Sequence, residues 1–273
     1  MPERVKTLTT RHGPMLALPG DTYMTRCLET YGEFSPGEWA LLKQVIKPGM
    51  TVVEMGSNIG AHTVAMARAC HPGRLYAFEP QRRVFQILCA NLVLNDLDNV
   101  VAAPDACGDV AGVAVVPTLD YGAADNFGGV ALAPPGAAGE TVRVVRLDDL
   151  QLPGCGLIKA DVEGFELLAL RGAAQTIART RPVLYVENDR PRHQRALVRL
   201  IADMGYRLYW HTPPLVARDN FNGVSEQIFD RIVSQNMLCI PSESRTTSDL
   251  IAIDPEDPHL PPNLGGGARL VGD

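Results

Sequence analysis

Between Thr51 and Trp210, short β-rich runs alternate with segments of helical apolar spacing, and this alternation limits the fold more than any other feature. Strands joined by helix-length crossovers pair in parallel, with right-handed connections that cover both faces of one sheet. The expected strands are Thr51 to Met55, Arg74 to Phe78, Val100 to Ala103, Leu157 to Ala160, Val183 to Val186 and Arg207 to Trp210. The expected helices are Ala61 to Cys70, Arg82 to Asn95, Phe165 to Arg179 and Gln194 to Met204. The pattern predicts a doubly wound, Rossmann-like α/β sheet, with Met237 to Ile240 as a last strand, antiparallel at the sheet edge.

Ahead of the sheet, Ser35-Pro36-Gly37-Glu38 reads as a helix start. Serine caps, proline suits the first helical position, and Glu38 completes a capping box. The division expected is an N-terminal segment and helix over 1–48, one domain over 49–245, and a tail over 246–273. Residues 109–150 interrupt the alternation and read as a β-rich insertion, with β-like runs from Gly112 to Val116 and Thr141 to Leu147. The tail is rich in proline and glycine from Asp254 and is expected to be poorly ordered.

With 273 residues, 46% of them hydrophobic, the chain can bury a sizeable core. Acidic residues number 31 against 25 basic, for a net charge of −6. That balance, without clustered basic residues, argues against a nucleic-acid partner. No run of about 18 apolar residues occurs, so neither a membrane span nor a membrane partner is expected. The six scattered cysteines form no C-x-x-C pair, which removes zinc spacing and suggests a reducing compartment. Glu3, Arg4, Lys6 and Arg11 leave no room for an apolar signal region, and a cytoplasmic location is expected.

Ligands of open α/β sheets bind at the carboxyl ends of the strands, so the residues just after each strand carry the candidate chemistry. The first strand runs into Glu54-Met55-Gly56-Ser57-Asn58-Ile59-Gly60. Asn58 stands where a dinucleotide fingerprint wants glycine, so the turn suits a ligand smaller than a pyrophosphate. Glu79 follows the second strand at the spacing of a ribose-binding acid. Asp105 follows the third and is either an adenine contact or a solvated loop acid. After the fourth come Lys159-Ala160-Asp161-Val162-Glu163, and after the fifth Glu187-Asn188-Asp189. Asp161, Glu187 and Asn188 then converge as oxygen ligands suited to Mg²⁺, or else as hydrogen-bonding partners of a substrate. His62, opening the first sheet-packed helix, is a base, a cofactor contact or a buried structural histidine, and His211, ending a later strand, is a candidate base.

Together these segments resemble the FkbM family of class I S-adenosylmethionine-dependent methyltransferases. The likeness is carried by Tyr31-Gly32-Glu33-Phe34-Ser35, Val53 to Thr63, Ala77-Phe78-Glu79-Pro80, Leu147-Asp148-Asp149-Leu150, Ile158 to Glu166, Leu170-Arg171-Gly172-Ala173 and Arg181 to Asn188. The resemblance implies a seven-stranded sheet whose last strand is antiparallel, and methyl transfer to an oxygen of a small metabolite, sugar or natural product. It implies that Glu54, Gly56, Ser57, Asn58 and Gly60 surround the methionine part of the cofactor. By the same resemblance Glu79 holds the ribose, Asp105 and Ala106 approach the adenine, and Asp161 lies near the methyl group. Tyr31 and Ser35 are implied to touch the methionine carboxylate. Many members have aspartate where Glu54 stands. A positional likeness to catechol-type O-methyltransferases suggests Mg²⁺ at Asp161, Glu187 and Asn188, although Gly164 replaces their lysine base.

The expected activity is therefore O-methylation of a small-molecule or glycan acceptor, with or without Mg²⁺. Lys159, His62, His211 and Glu163 are the bases available, and Asp161 lies at the reacting centre. N-methylation on the same scaffold and a non-catalytic nucleoside-binding domain are the alternatives. A homodimer is expected by analogy with such folds.

Overall fold

The structure is a computed structural model and describes residues 4–229, 232–259 and 270–271. The chain opens with an antiparallel hairpin, β1 (Lys6–Thr10) and β2 (Gly13–Ala17), followed by helices α1 (Met24–Tyr31) and α2 (Pro36–Val45). The alternating region begins with β3 (Val52–Met55), α3 (Thr63–Cys70), β4 (Leu75–Phe78), α4 (Arg82–Leu94) and β5 (Val100–Ala103). The insertion supplies β6 (Ala106–Cys107), β7 (Gly112–Pro117) and β8 (Gly139–Val145), a separate small sheet in the order β6-β8-β7. Then follow β9 (Leu157–Ala160), α5 (Glu166–Arg171), α6 (Ala174–Thr180), β10 (Val183–Glu187), α7 (Pro191–Asp203), β11 (Tyr206–His211) and β12 (Asn236–Pro241). Two-residue strands β13 (Thr247–Ser248), β14 (Ile251–Ala252) and β15 (Leu270–Val271) close the described chain.

The central sheet has the order β14-β11-β12-β10-β9-β3-β4-β5. β10, β9, β3, β4 and β5 run parallel. The strand order reverses at β3, which places a binding crevice over the carboxyl ends of β3 and β9. Residues of alternate parity face opposite layers. Val53, Met55, Ile158, Ala160, Leu184 and Val186 pack with residues of α5, α6 and α7. Val52, Leu75, Ala77, Leu157, Tyr185 and Leu238 pack with residues of α2, α3 and α4. Two covered faces explain why these strands read as continuous apolar runs rather than as alternation.

Three expectations change in the structure. β12 is antiparallel, but it lies between β10 and β11 rather than at the edge. All six of its residues are buried, which an edge position would not allow. The edge is instead taken by β14, an eighth strand paired with β11. The helix expected from Phe165 to Arg179 is two helices, broken at Gly172. A side chain at Gly172 would meet the Gly108 carbonyl oxygen at 1.9 Å, so the insertion's base and the helix pair depend on that glycine. Much of the tail expected to lack order lies outside the described residues. Among the described residues no helix is long and apolar enough to cross a membrane, and all six cysteines are free thiols.

Candidate active site

A cavity of about 330 Å³ opens at the carboxyl ends of the parallel strands. A smaller one, about 40 Å³, adjoins it and shares Gly56, Glu79, Gly128, Asp161 and Glu163 with it.

The turn after β3 builds the floor. Gly56 has φ +84°, and a Cβ there would sit 1.8 Å from the Asp161 carbonyl oxygen, so only glycine lets β3 and β9 close at this point. Asn58 also adopts a positive φ, 49°. Its backbone N–H donates to Glu79 Oε2 at 2.9 Å, and the Gln81 N–H donates to Glu79 Oε1 at 2.9 Å. Two backbone donors thus aim the Glu79 carboxylate at the cavity, while burial pushes its pKa up to about 7. Glu54 is buried behind the turn, where it accepts from Thr63 Oγ1 at 2.5 Å. Burial raises it to about 7 despite nearby Lys159. Ser57 lines the cavity, whereas Gly60 stands behind it and donates its N–H to the Ser57 carbonyl at 2.9 Å.

The smaller cavity is lined by Pro80, Gln81, Asp105, Ala106, Val162 and Phe165, among others. Phe78, Ala106, Val130, Leu132, Val162 and Phe165 give it an apolar wall near Glu79, of the kind a nucleobase next to a ribose would use. Asp105 is not free there, because Arg143 of β8 grips it at both oxygens, at 2.8 and 2.6 Å. Nothing in the sequence pointed to Arg143. The insertion also roofs the site: Gln81 Nε2 donates to the Phe127 carbonyl at 2.7 Å, and Asn126, Gly128 and Gly129 line the main cavity.

Beyond Asp161 the lining is acidic. Asp161, Glu163 and Glu187 bring carboxylate oxygens within 4.8 Å of one another. Asp161 is paired with Lys159 at 3.0 Å, and Glu163 with Arg190. Glu187 Oε2 is buried without a partner. Burial and the Asp161 charge raise Glu163 to about 8, and the same causes hold Glu187 well above the ordinary carboxylate range. Asn188, expected with Asp161 and Glu187, does not line the cavity; its Nδ2 points to Met237 Sδ at 3.2 Å. Glu163 takes its place. The remaining acid of that run, Glu166, closes the turn by accepting from the Val162 and Gly164 N–H groups at 3.0 and 3.1 Å.

Several expected roles move. Burial alone would lower Lys159, but Asp161, Glu38 and Glu54 outweigh it and hold the amine protonated, so it is no base. His211 is buried outside the cavity lining, with Nδ1 2.7 Å from the Tyr185 hydroxyl, and burial lowers it to about 4. Tyr31 is fully buried and turns to the loop before β12, where its hydroxyl donates to the Glu226 carbonyl at 3.0 Å. Ser35 is buried as well and donates to Glu38 Oε1 at 2.8 Å. Neither Tyr31 nor Ser35 lines the cavity. Glu38 and His62 do. Glu38 went unnoticed as a site residue because its position fitted a capping box.

A family model described as the methyltransferase FkbM domain matches residues 54–208. The chain belongs to the FkbM methyltransferase family. It is an S-adenosylmethionine-dependent methyltransferase. Among solved structures it is similar to a precorrin-6y C5,15-methyltransferase from Geobacter metallireducens, at 13% identity and TM-score 0.48, covering 76% of this chain and 86% of that one. It is also similar to a methyltransferase FkbM from Methylobacillus flagellatus, at 17% identity and TM-score 0.47, covering 74% of this chain and 50% of that one. An O-methyltransferase from Bacillus cereus in complex with SAH is similar at 16% identity and TM-score 0.46, covering 82% and 84%. No curated protein matches.

Proposed function

We propose that this FkbM-family enzyme methylates a hydroxyl of a small, hydroxyl-rich acceptor, a metabolite, sugar or natural product. S-adenosylmethionine, when bound, supplies a methyl group on a positively charged sulfur. The residues present fit it: Glu79 is aimed by two backbone donors, a partly apolar cavity adjoins it, and Gly56 admits close approach. Glu79 would hold the ribose, Asp105 and Ala106 would flank the base, and Glu54, Ser57 and Asn58 would border the methionine part.

The observation that carries the acceptor reading is Glu187, which borders the cavity together with Glu163 and whose buried Oε2 has no partner. A hydroxyl must be oriented and must lose its proton to become a nucleophile. A carboxylate accepts that proton only in its ionised form, and a raised pKa makes that ionised form the stronger base. Glu163 and Glu187 are therefore the proposed base, acting as a coupled pair, with Arg190 holding Glu163 in place. Seven carboxylates and one lysine among the described lining suit hydroxyl and amine donors and repel an anionic acceptor.

Two further readings have specific support. The same carboxylates suit an amine, which would make the product an N-methyl compound. Asp161, Glu163 and Glu187 also form an oxygen-only donor set that fits Mg²⁺, provided Lys159 and Arg190 give way. One experiment orders all three: turnover of an acceptor panel with S-adenosylmethionine, with Mg²⁺ or with excess chelator, and the methyl position read by NMR. An O-methyl product formed equally in chelator is expected. An N-methyl product overturns the hydroxyl reading, and loss of turnover in chelator restored by Mg²⁺ overturns the metal-free one.

A further inference from the structure

Two acceptor atoms at one end of the main cavity lack partners: Glu38 Oε2 and His62 Nε2. Their residues are 3% and 7% exposed, and both residues border the cavity. Glu38 Oε1 already accepts from Ser35 Oγ at 2.8 Å. The His62 ring uses its N–H toward the Ser35 backbone, which leaves a lone pair at Nε2. Burial opposes ionisation of Glu38, while the nearby Lys159 charge and the Ser35 hydrogen bond favour it. Burial lowers His62, so the imidazole is neutral.

Buried polar atoms are almost always satisfied, and two orphaned acceptors in one cavity point to a ligand group rich in donors. A hydroxyl brings one donor. An ammonium brings three, together with the positive charge that a buried carboxylate lacks. The cation already in the lining, Lys159, is committed to Asp161 at 3.0 Å. Position selects the ligand. His62 lies between Gly60 of the cofactor turn and Thr63, whose hydroxyl bonds Glu54, so this is the turn's end of the cavity.

We propose that Glu38 and His62 receive the α-ammonium group of the cofactor's methionine moiety, with Glu38 as its charge partner. The proposal rests on the methyltransferase reading. It moves the contribution of the segment before β3 from Tyr31 and Ser35 to Glu38.

The test is calorimetric titration of wild type and Glu38→Gln with three ligands. S-adenosylhomocysteine carries both amine and carboxylate, its decarboxylated analogue carries the amine alone, and 5′-methylthioadenosine carries neither. In Glu38→Gln the first two should weaken alike, on the order of 10- to 100-fold, as loss of a charge-assisted hydrogen bond implies. Methylthioadenosine should bind unchanged. Equal loss for all three ligands would mean a structural role and overturn the proposal. Unchanged S-adenosylhomocysteine affinity would overturn it too and assign the pair to the acceptor. If the variant binds nothing, wild type decides: the decarboxylated analogue must bind at least about tenfold more tightly than methylthioadenosine, and parity overturns the proposal. Failure of wild type to bind S-adenosylhomocysteine is a different result, since it removes the cofactor reading itself.

Discussion

At Glu54, burial rather than motif position decides the charge. The residue is 1% exposed, and its pKa stands near 7 against an ordinary value of 4.5. The folded state therefore binds the proton more tightly than the unfolded chain does. The associated stability is fully present below the unfolded pKa and is lost as pH rises through about 7. For a shift of this size the loss is about 3 kcal/mol for the ligand-free protein. Glu54→Gln keeps the shape and removes the proton equilibrium. Urea unfolding between pH 5 and pH 8 should show a flatter stability profile for the variant, with the gap closing toward pH 5. Parallel profiles would mean that Glu54 is ionised and that Lys159 dominates its environment. The same reasoning assigns Lys159 a structural rather than a basic role, because three carboxylates hold its proton.

Among the elements, Asn91 of α4 ties the N-terminal hairpin to α4 and to the turn at Ile59. It is fully buried, its Nδ2 donates to the Leu16 and Ile59 carbonyls at 3.0 and 2.7 Å, and its Oδ1 accepts from the Leu16 N–H at 2.6 Å. Asn91→Leu strands three backbone groups and should cost about 2–4 kcal/mol. Hydrogen exchange should quicken first at Gly13–Ala17; an unchanged hairpin would mean that its apolar packing suffices. The hairpin also marks the limit of what the sequence makes legible. The parallel strands and their helices could be read because two covered faces impose an apolar pattern on each segment. The hairpin could not, since its position is set by a side chain 75 residues away. The break at Gly172 was hidden for the same reason, being set by the Gly108 backbone. In the site, the strand-end acids Glu79, Asp161 and Glu187 were legible from topology. Asn188 was misplaced because the chain has left β10 there: its N–H donates to the Gln235 carbonyl at 2.8 Å, and it follows β12 instead of the cavity. Glu38 was concealed because a capping box and a ligand carboxylate leave the same letters.

For the molecule as a whole, the strand order gathers Glu54, Glu79 and Asp161 from the ends of three neighbouring strands, with Glu163 beside them, around one cavity. Three of these carboxylates have pKa values near neutrality, about 7 for Glu54 and Glu79 and about 8 for Glu163. The ligand-free site thus carries protons at pH 6 that it has largely lost by pH 8. S-adenosylmethionine and S-adenosylhomocysteine differ in the positive charge on sulfur. A cation favours the ionised carboxylates and expels their protons, so its binding strengthens as pH rises, whereas the neutral thioether gains less. The affinity of S-adenosylmethionine relative to S-adenosylhomocysteine should therefore rise about 3- to 10-fold from pH 6 to pH 8, short of the limit of about tenfold per pH unit for one fully displaced proton. Calorimetry in two buffers of different ionisation enthalpy counts the protons directly, and more should be released by the sulfonium ligand at pH 6.5. A ratio that does not change with pH would mean that the sulfonium lies away from these carboxylates. The acidic lining would then act on the acceptor alone, and the raised pKa values would be relieved only when both substrates are bound.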